Sequence, residues 1–192
     1  MSGILDGLLG QLGGPALSQI SKQIGADDAT SNNAIAAALP VLMGALAKNA
    51  SSGDGATALI NALQKKHDGS ILDDVAGALG NAQTGAAGAG ILKHVLGDKQ
   101  NAAAAGVAQA SGLDPAKAGA LLSMLAPVVM GALGKAQRSG GLDAGGLAAM
   151  LGQERQRMPA AAGGLLSMLD RDGDGSVVDD VLGMAGKFLG KR

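Results

Sequence analysis

Cysteine, tryptophan and tyrosine are absent from this chain, and phenylalanine occurs once, at Phe188. Without cysteine there are no disulfides, no thiol nucleophile and no thiolate-bound zinc or iron–sulfur centre, although the compartment stays open. With aromatics at 1%, a core must form without the large buried area that rings supply. Charge of either sign is also scarce. Fifteen Lys and Arg stand against 16 Asp and Glu, for a formal net charge of −1, and charged residues make up only 16% of the chain. Nucleic-acid binders carry a basic surplus or stripe, often interleaved with aromatics, so no nucleic-acid partner is expected. A sparsely charged surface near neutrality favours association, and a homo-oligomer is expected.

Long apolar runs are missing as well. No charge occurs between Lys117 and Lys135, yet this stretch falls just short of a span and contains Pro127 and three glycines. A spanning helix needs about 20 apolar residues, so a buried core helix is expected and no transmembrane segment. The start, Met1 to Asp6, has neither a basic stretch nor a continuous apolar one. No signal peptide is read there, and the expected location is cytoplasmic.

What the chain does have is alanine, leucine and 33 glycines, with 47% hydrophobic residues overall. Small residues let helix backbones approach closely, although each interior glycine costs about 1 kcal/mol relative to alanine. Many close helix contacts are expected.

The organisation is a duplication. Pro40 placed over Pro127, an offset of 87, sets Ala38-Leu-Pro-Val-Leu-Met-Gly-Ala-Leu-Ala-Lys48 over Leu125-Ala-Pro-Val-Val-Met-Gly-Ala-Leu-Gly-Lys135. Gly25 and Asp27 then meet Gly112 and Asp114, and Ile4, Leu5, Leu9 and Gly10 meet Ile91, Leu92, Leu96 and Gly97. Further on, His67 to Val75 resembles Gly173 to Val181 at an offset of 106, so the second copy carries 19 more residues than the offset of 87 allows. The expected division is a first helical repeat over 1–80, a small, Gly-rich linker over 81–90 and a second repeat over 91–192. The insertion falls at about 138–164, where Gly140-Gly141, Gly145-Gly146 and Met158-Pro159 mark turns or a flexible excursion. Apolar residues recur at three- and four-residue spacing in both copies, with no alternating β pattern of useful length. Asp27 and Asp114 sit where N-caps belong, and Asp114-Pro115 has the order that opens a helix. Pro40 and Pro127 are expected to kink a helix or to start one. The fold class is therefore all-α: two copies of a helical motif forming a helical bundle, with an EF-hand-like loop near the C-terminus.

That loop, residues 170–181, is the motif with the clearest chemistry. Asp170, Asp172 and Asp174 occupy positions 1, 3 and 5 of a calcium loop, Gly175 the turn at position 6, and Ser176 offers its backbone carbonyl at position 7. Calcium takes six to eight oxygen ligands, and alternate carboxylates on a tight loop supply them. The bidentate Glu of position 12 is replaced by Val181, leaving Asp179 or Asp180 to close the shell. The competing reading is an ordinary Asp/Gly turn, with Asp179-Asp180 capping the last helix. In the first copy Gln64 and Lys66 replace Asp170 and Asp172, so one Ca2+ ion is expected, in the second repeat only.

Other candidates are weaker. His67 and His94 are the only histidines and lack a nucleophile motif, so surface or half-buried positions are expected. Gly13-Gly14 lacks the context of a phosphate loop. Arg155, Arg157, Lys187, Lys191 and Arg192 read as solvated charge, and Met43 and Met130 as core filling.

Three features in combination are the Leu125 to Lys135 segment, Ile91-Leu-Lys-His-Val-Leu-Gly97, and Asp170-Arg-Asp-Gly-Asp-Gly-Ser with Asp179-Asp180. Together they resemble a YidB-like bacterial family of unknown function. The resemblance covers nearly the whole chain and implies an all-α bacterial protein with no assigned activity. The functional expectation is a non-enzymatic calcium-binding structural or interaction protein that self-associates. The rivals are an envelope- or membrane-surface-associated protein, through amphipathic segments such as 4–12, and an enzyme with an unrecognised site around His67 or His94.

Overall fold

A computed structural model describes residues 3–158, and every described element is helical or a turn. Among the described residues nine α-helices follow one another: α1 (Ile4–Gln11), α2 (Pro15–Ile24), α3 (Asp28–Ala50), α4 (Gly53–Lys66), α5 (Val75–Gly80), α6 (Ala82–Leu96), α7 (Gln100–Ser111), α8 (Pro115–Gly140) and α9 (Ala144–Arg157). Short 3₁₀ turns at Ser70–Asp73 and Gly97–Lys99 link α4 to α5 and α6 to α7.

The helix ends follow from local chemistry. Asp27 accepts from the Thr30 N–H at 2.8 Å and from the Thr30 hydroxyl at 2.8 Å, which fixes the start of α3. Asp114 accepts from the Ala116 N–H at 2.8 Å with Pro115 at the first helical position, opening α8. Both caps satisfy donors that a helix start leaves free. Gly25 and Gly112 close α2 and α7 in the left-handed conformation, with φ of 60° and 78°. Only glycine enters that region without steric cost.

Pro40 and Pro127 do not start helices: both lie inside α3 and α8, which run on past them. A proline removes one N–H and frees the carbonyl four residues back, here those of Ala36 and Ser123. The Ser123 carbonyl is met by Gly88 of α6, where a Cβ would overlap the oxygen. The helices therefore touch backbone to backbone, a contact open only to glycine. Residues 82–90, composed like a linker, are the first turns of α6 for this reason. Gly145-Gly146 likewise belongs to the first turn of α9, because Asp143 accepts from the Gly146 N–H at 2.8 Å.

At the centre α3 and α8 pack against each other; α7 and α9 also pack on α3, and α6, α7, α4 and α2 on α8. The buried residues form one cluster that runs from Leu8 to Leu151 and includes Leu39, Met43, Leu125 and Met130. Both central helices are long and apolar enough to cross a membrane by length and composition. Their most apolar windows are 61% and 67% buried within the fold. Such burial is what core helices need, and it agrees with the core assignment of the uncharged stretch before Lys135.

Candidate functional site

Asp170, Asp172, Asp174, Ser176, Asp179 and Asp180 lie outside the described residues. Among the described residues no group of three or more His, Asp or Glu side chains is placed to hold a metal ion. The segment that the sequence aligns with the calcium loop, His67 to Val75, is described, and a cleft opens beside it.

This segment leaves α4 and turns at Gly69, whose φ of 93° is left-handed. Asp68 holds the turn closed: its carboxylate accepts from the Ser70 N–H at 3.0 Å and the Ser70 hydroxyl at 2.6 Å. Arg138, near the end of α8, pairs with the same carboxylate at 3.4 Å. These hydrogen bonds from Ser70, followed by the Arg138 guanidinium, hold the Asp68 carboxyl down at about 2. After the 3₁₀ turn, Asp74 caps α5 by accepting from the Gly77 N–H at 2.9 Å.

Two glycines of α8 form the seat under this segment. A Cβ at Gly134 would overlap the His67 carbonyl oxygen, and one at Gly131 would overlap the Ile71 side chain. At Gly69 a Cβ would come within 2.9 Å of the Lys135 Cβ. The turn is thus pressed onto α8 along the Gly131, Gly134, Lys135 edge.

The cleft, of about 270 Å3, is walled by Lys66 to Ile71 on one side, the start of α6 on the other, and Pro127 below. His67 is half-buried in it, and burial, then the nearby Lys66 charge, push its pKa down. His94 is exposed, with its Nδ1 3.0 Å from the Gly90 carbonyl oxygen. Both positions agree with the surface or half-buried placement expected of the two histidines.

His67, Asp68 and Ser70 are the residue types of a nucleophilic triad, but their arrangement is that of a turn. The Ser70 hydroxyl donates directly to Asp68 rather than to the imidazole. A nucleophile needs its base within hydrogen-bond reach and that base oriented by a third group. Asp68 spends its oxygens on Ser70 and Arg138 instead. Sequence reading passed over this cleft because its walls come from residues distant along the chain; the Asp-Gly-Ser turn was its only local signal.

Residues 6–136, two thirds of the chain, match the family model described as a bacterial protein of unknown function (DUF937). No curated protein and no solved structure matches the chain. The calcium-type sequence at 170–181 lies beyond the matched segment.

Proposed function

The chain belongs to this bacterial family of unknown function, and within it we propose a non-enzymatic scaffold built from two copies of one helical module, the second ending in a calcium-binding loop. Support for the duplication comes from matched elements. At an offset of 87, α2 and α3 fall over α7 and α8, with Gly25 over Gly112 and the Asp27 cap over the Asp114 cap. Each central helix also packs on helices of the other half, as two similar halves around a twofold would require: α3 on α7 and α9, α8 on α2 and α4.

One observation carries the calcium reading. In the first loop the Asp68 carboxylate is neutralised by Arg138, and Lys66 stands two residues before it. At the matching places of the second loop both cations are gone: Lys66 becomes Asp172, Arg138 becomes Ser51, and Gln64 becomes Asp170. A turn held by a protein cation is replaced by one with three carboxylates and Arg171 alone, at the place of Lys65 and between the ligand positions. A divalent ion supplies the missing charge and takes hard oxygen ligands. The left-handed Gly69 supports the same bend at Gly175, which a calcium loop needs at position 6. In the first loop Asp74 is spent as a helix cap, so Asp179, the counterpart of Asp73, is the acid that closes the shell and Asp180 the one that caps.

Calcium titrated by calorimetry into demetallated full-length chain tests this reading. One site per chain is expected, weakened by Asp172→Asn. Absence of heat and of any melting shift at millimolar calcium removes the metal. Self-association belongs to the same proposal, on the grounds of sparse charge and near-neutrality. Sedimentation at several concentrations tests it, a strictly monomeric chain being the contrary result.

A further inference from the structure

The cleft beside His67 has two walls that stand on α8 with Pro127 between them. Gly88 presses α6 onto the Ser123 carbonyl, while Gly131 and Gly134 receive the 67–71 turn. Ser123 and Gly131 lie eight residues apart (131 − 123) on one helix, a rise of about 12 Å. Each wall is fixed to α8 by a glycine contact with no room for a Cβ, so the cleft of about 270 Å3 between them is preformed. Pockets for drug-sized molecules run from roughly 300 to 1,000 Å3. This one suits something smaller.

Its lining states what that molecule must offer. Ile71, Ala87 and Pro127 make an apolar floor, and Lys66, His67, Gln83 and Thr84 stand around it. Of the two charges on the walls, the Asp68 carboxylate is already matched by Ser70 and Arg138. The Lys66 ammonium has no carboxylate within ion-pair distance among the described residues. His67, with its pKa pushed down by burial, is uncharged near neutral pH and offers one donor and one acceptor. The first backbone amides of α6 are spent: the Gln83 N–H donates to Asn81 Oδ1 at 2.9 Å and the Thr84 N–H to the Asn81 carbonyl at 3.0 Å. Recognition therefore falls to side chains that converge from α4, the turn and α6.

We propose that this cleft binds a small organic anion, its carboxylate or phosphate head paired with Lys66 and hydrogen-bonded by Thr84, and its short apolar stem lying on Ile71, Ala87 and Pro127. The head supplies the charge that Lys66 lacks, and the stem covers the floor. The cleft is open to solvent and Lys66 is exposed, and exposed ion pairs contribute little. Binding in the millimolar range is the expected strength. The site is separate from the calcium loop and does not depend on it.

An NMR titration of backbone amides tests the site, on the full chain near neutral pH, at fixed ionic strength and with chelator present. The probes are sodium valerate, n-butyl phosphate and neutral n-butanol. Saturable shifts confined to residues 66–71 and 81–87 are expected with at least one of the two anions and not with butanol. Whichever anion saturates at the lower concentration identifies the head group. Lys66→Gln is expected to weaken binding about three- to five-fold, the worth of one exposed ion pair. Lys65→Gln removes the same charge from an exposed position outside the lining and is expected to change nothing. Ala87→Leu fills the floor from an exposed position on α6 and is expected to weaken binding with Lys66 intact. The site is overturned if neither anion saturates, if the shifts spread over the whole surface, if butanol matches the anions, or if Lys65→Gln weakens binding as much as Lys66→Gln.

Discussion

Asp68 ties three residues together through one carboxylate, and its titration has a defined sign. Its carboxyl is held at about 2 in the fold against an ordinary value of 3.8. A depressed carboxyl favours the folded state fully above its ordinary value, and the contribution fades as pH falls through that window. Asp68→Asn is therefore expected to flatten the acid-induced loss of stability between these values, read by circular dichroism against pH. An unchanged acid profile would mean that the Ser70 and Arg138 contacts do not persist in solution. His67 titrates in the same sense. Burial lowers its pKa below 6.5, and its proton NMR resonances are expected to shift at a midpoint below that value.

Glycine acts in two opposite ways in this chain. Gly134→Ala puts a methyl into the His67 carbonyl oxygen, and such overpacking is expected to cost about 1–3 kcal/mol. Gly90, exposed within α6, has open space around it. Gly90→Ala is expected to stabilise by up to about 1 kcal/mol, the ordinary helix-propensity gain. Chemical denaturation of the two variants checks the pair, and equal effects would contradict the close-approach account.

At the scale of elements, the helix starts were legible because caps are local. Asp27, Asp114 and Pro115 act within one turn, and no distant contact is needed to place them. The interiors were less legible where distant contacts outweigh local cost. Gly85, Gly88 and Gly90 make 82–90 look like a linker, yet the Gly88 contact with the Ser123 carbonyl sets that stretch against α8. That carbonyl is free only because Pro127 lies inside α8, a placement that the proline alone leaves open between kink and start. The cleft beside His67 needs α4, α6 and α8 together, so its sequence carries only the turn. The calcium loop stands apart, since its residues lie outside the described segment and its support is the charge pattern.

Packing of α2 on α3 contains a misfit of its own. Ser31, fully buried at the start of α3, and Ser21, buried on α2, have hydroxyls without a hydrogen-bond partner. A buried unpaired hydroxyl costs more than it returns. Ser31→Ala is expected to leave the melting temperature unchanged or to raise it, and a marked fall would reveal a partner for that hydroxyl.

For the whole molecule, the single core that spans both halves predicts one cooperative transition. Leu125, with 0% exposure, touches that core at its centre. Leu125→Ala is expected to cost about 2–5 kcal/mol and to lower the melting of all helices together. Two separated transitions would mean that the halves fold independently.

The most direct measurement of the central claim compares melting temperatures of the full chain and of its Asp170→Asn, Asp172→Asn, Asp174→Asn variant, with calcium and with chelator. If a divalent cation relieves repulsion among these acids, calcium raises the melting temperature of the natural chain, as binding to the folded state requires. The variant then ignores calcium, and in chelator it melts no lower than the natural chain. A natural chain whose melting is the same in millimolar calcium and in chelator contradicts the account.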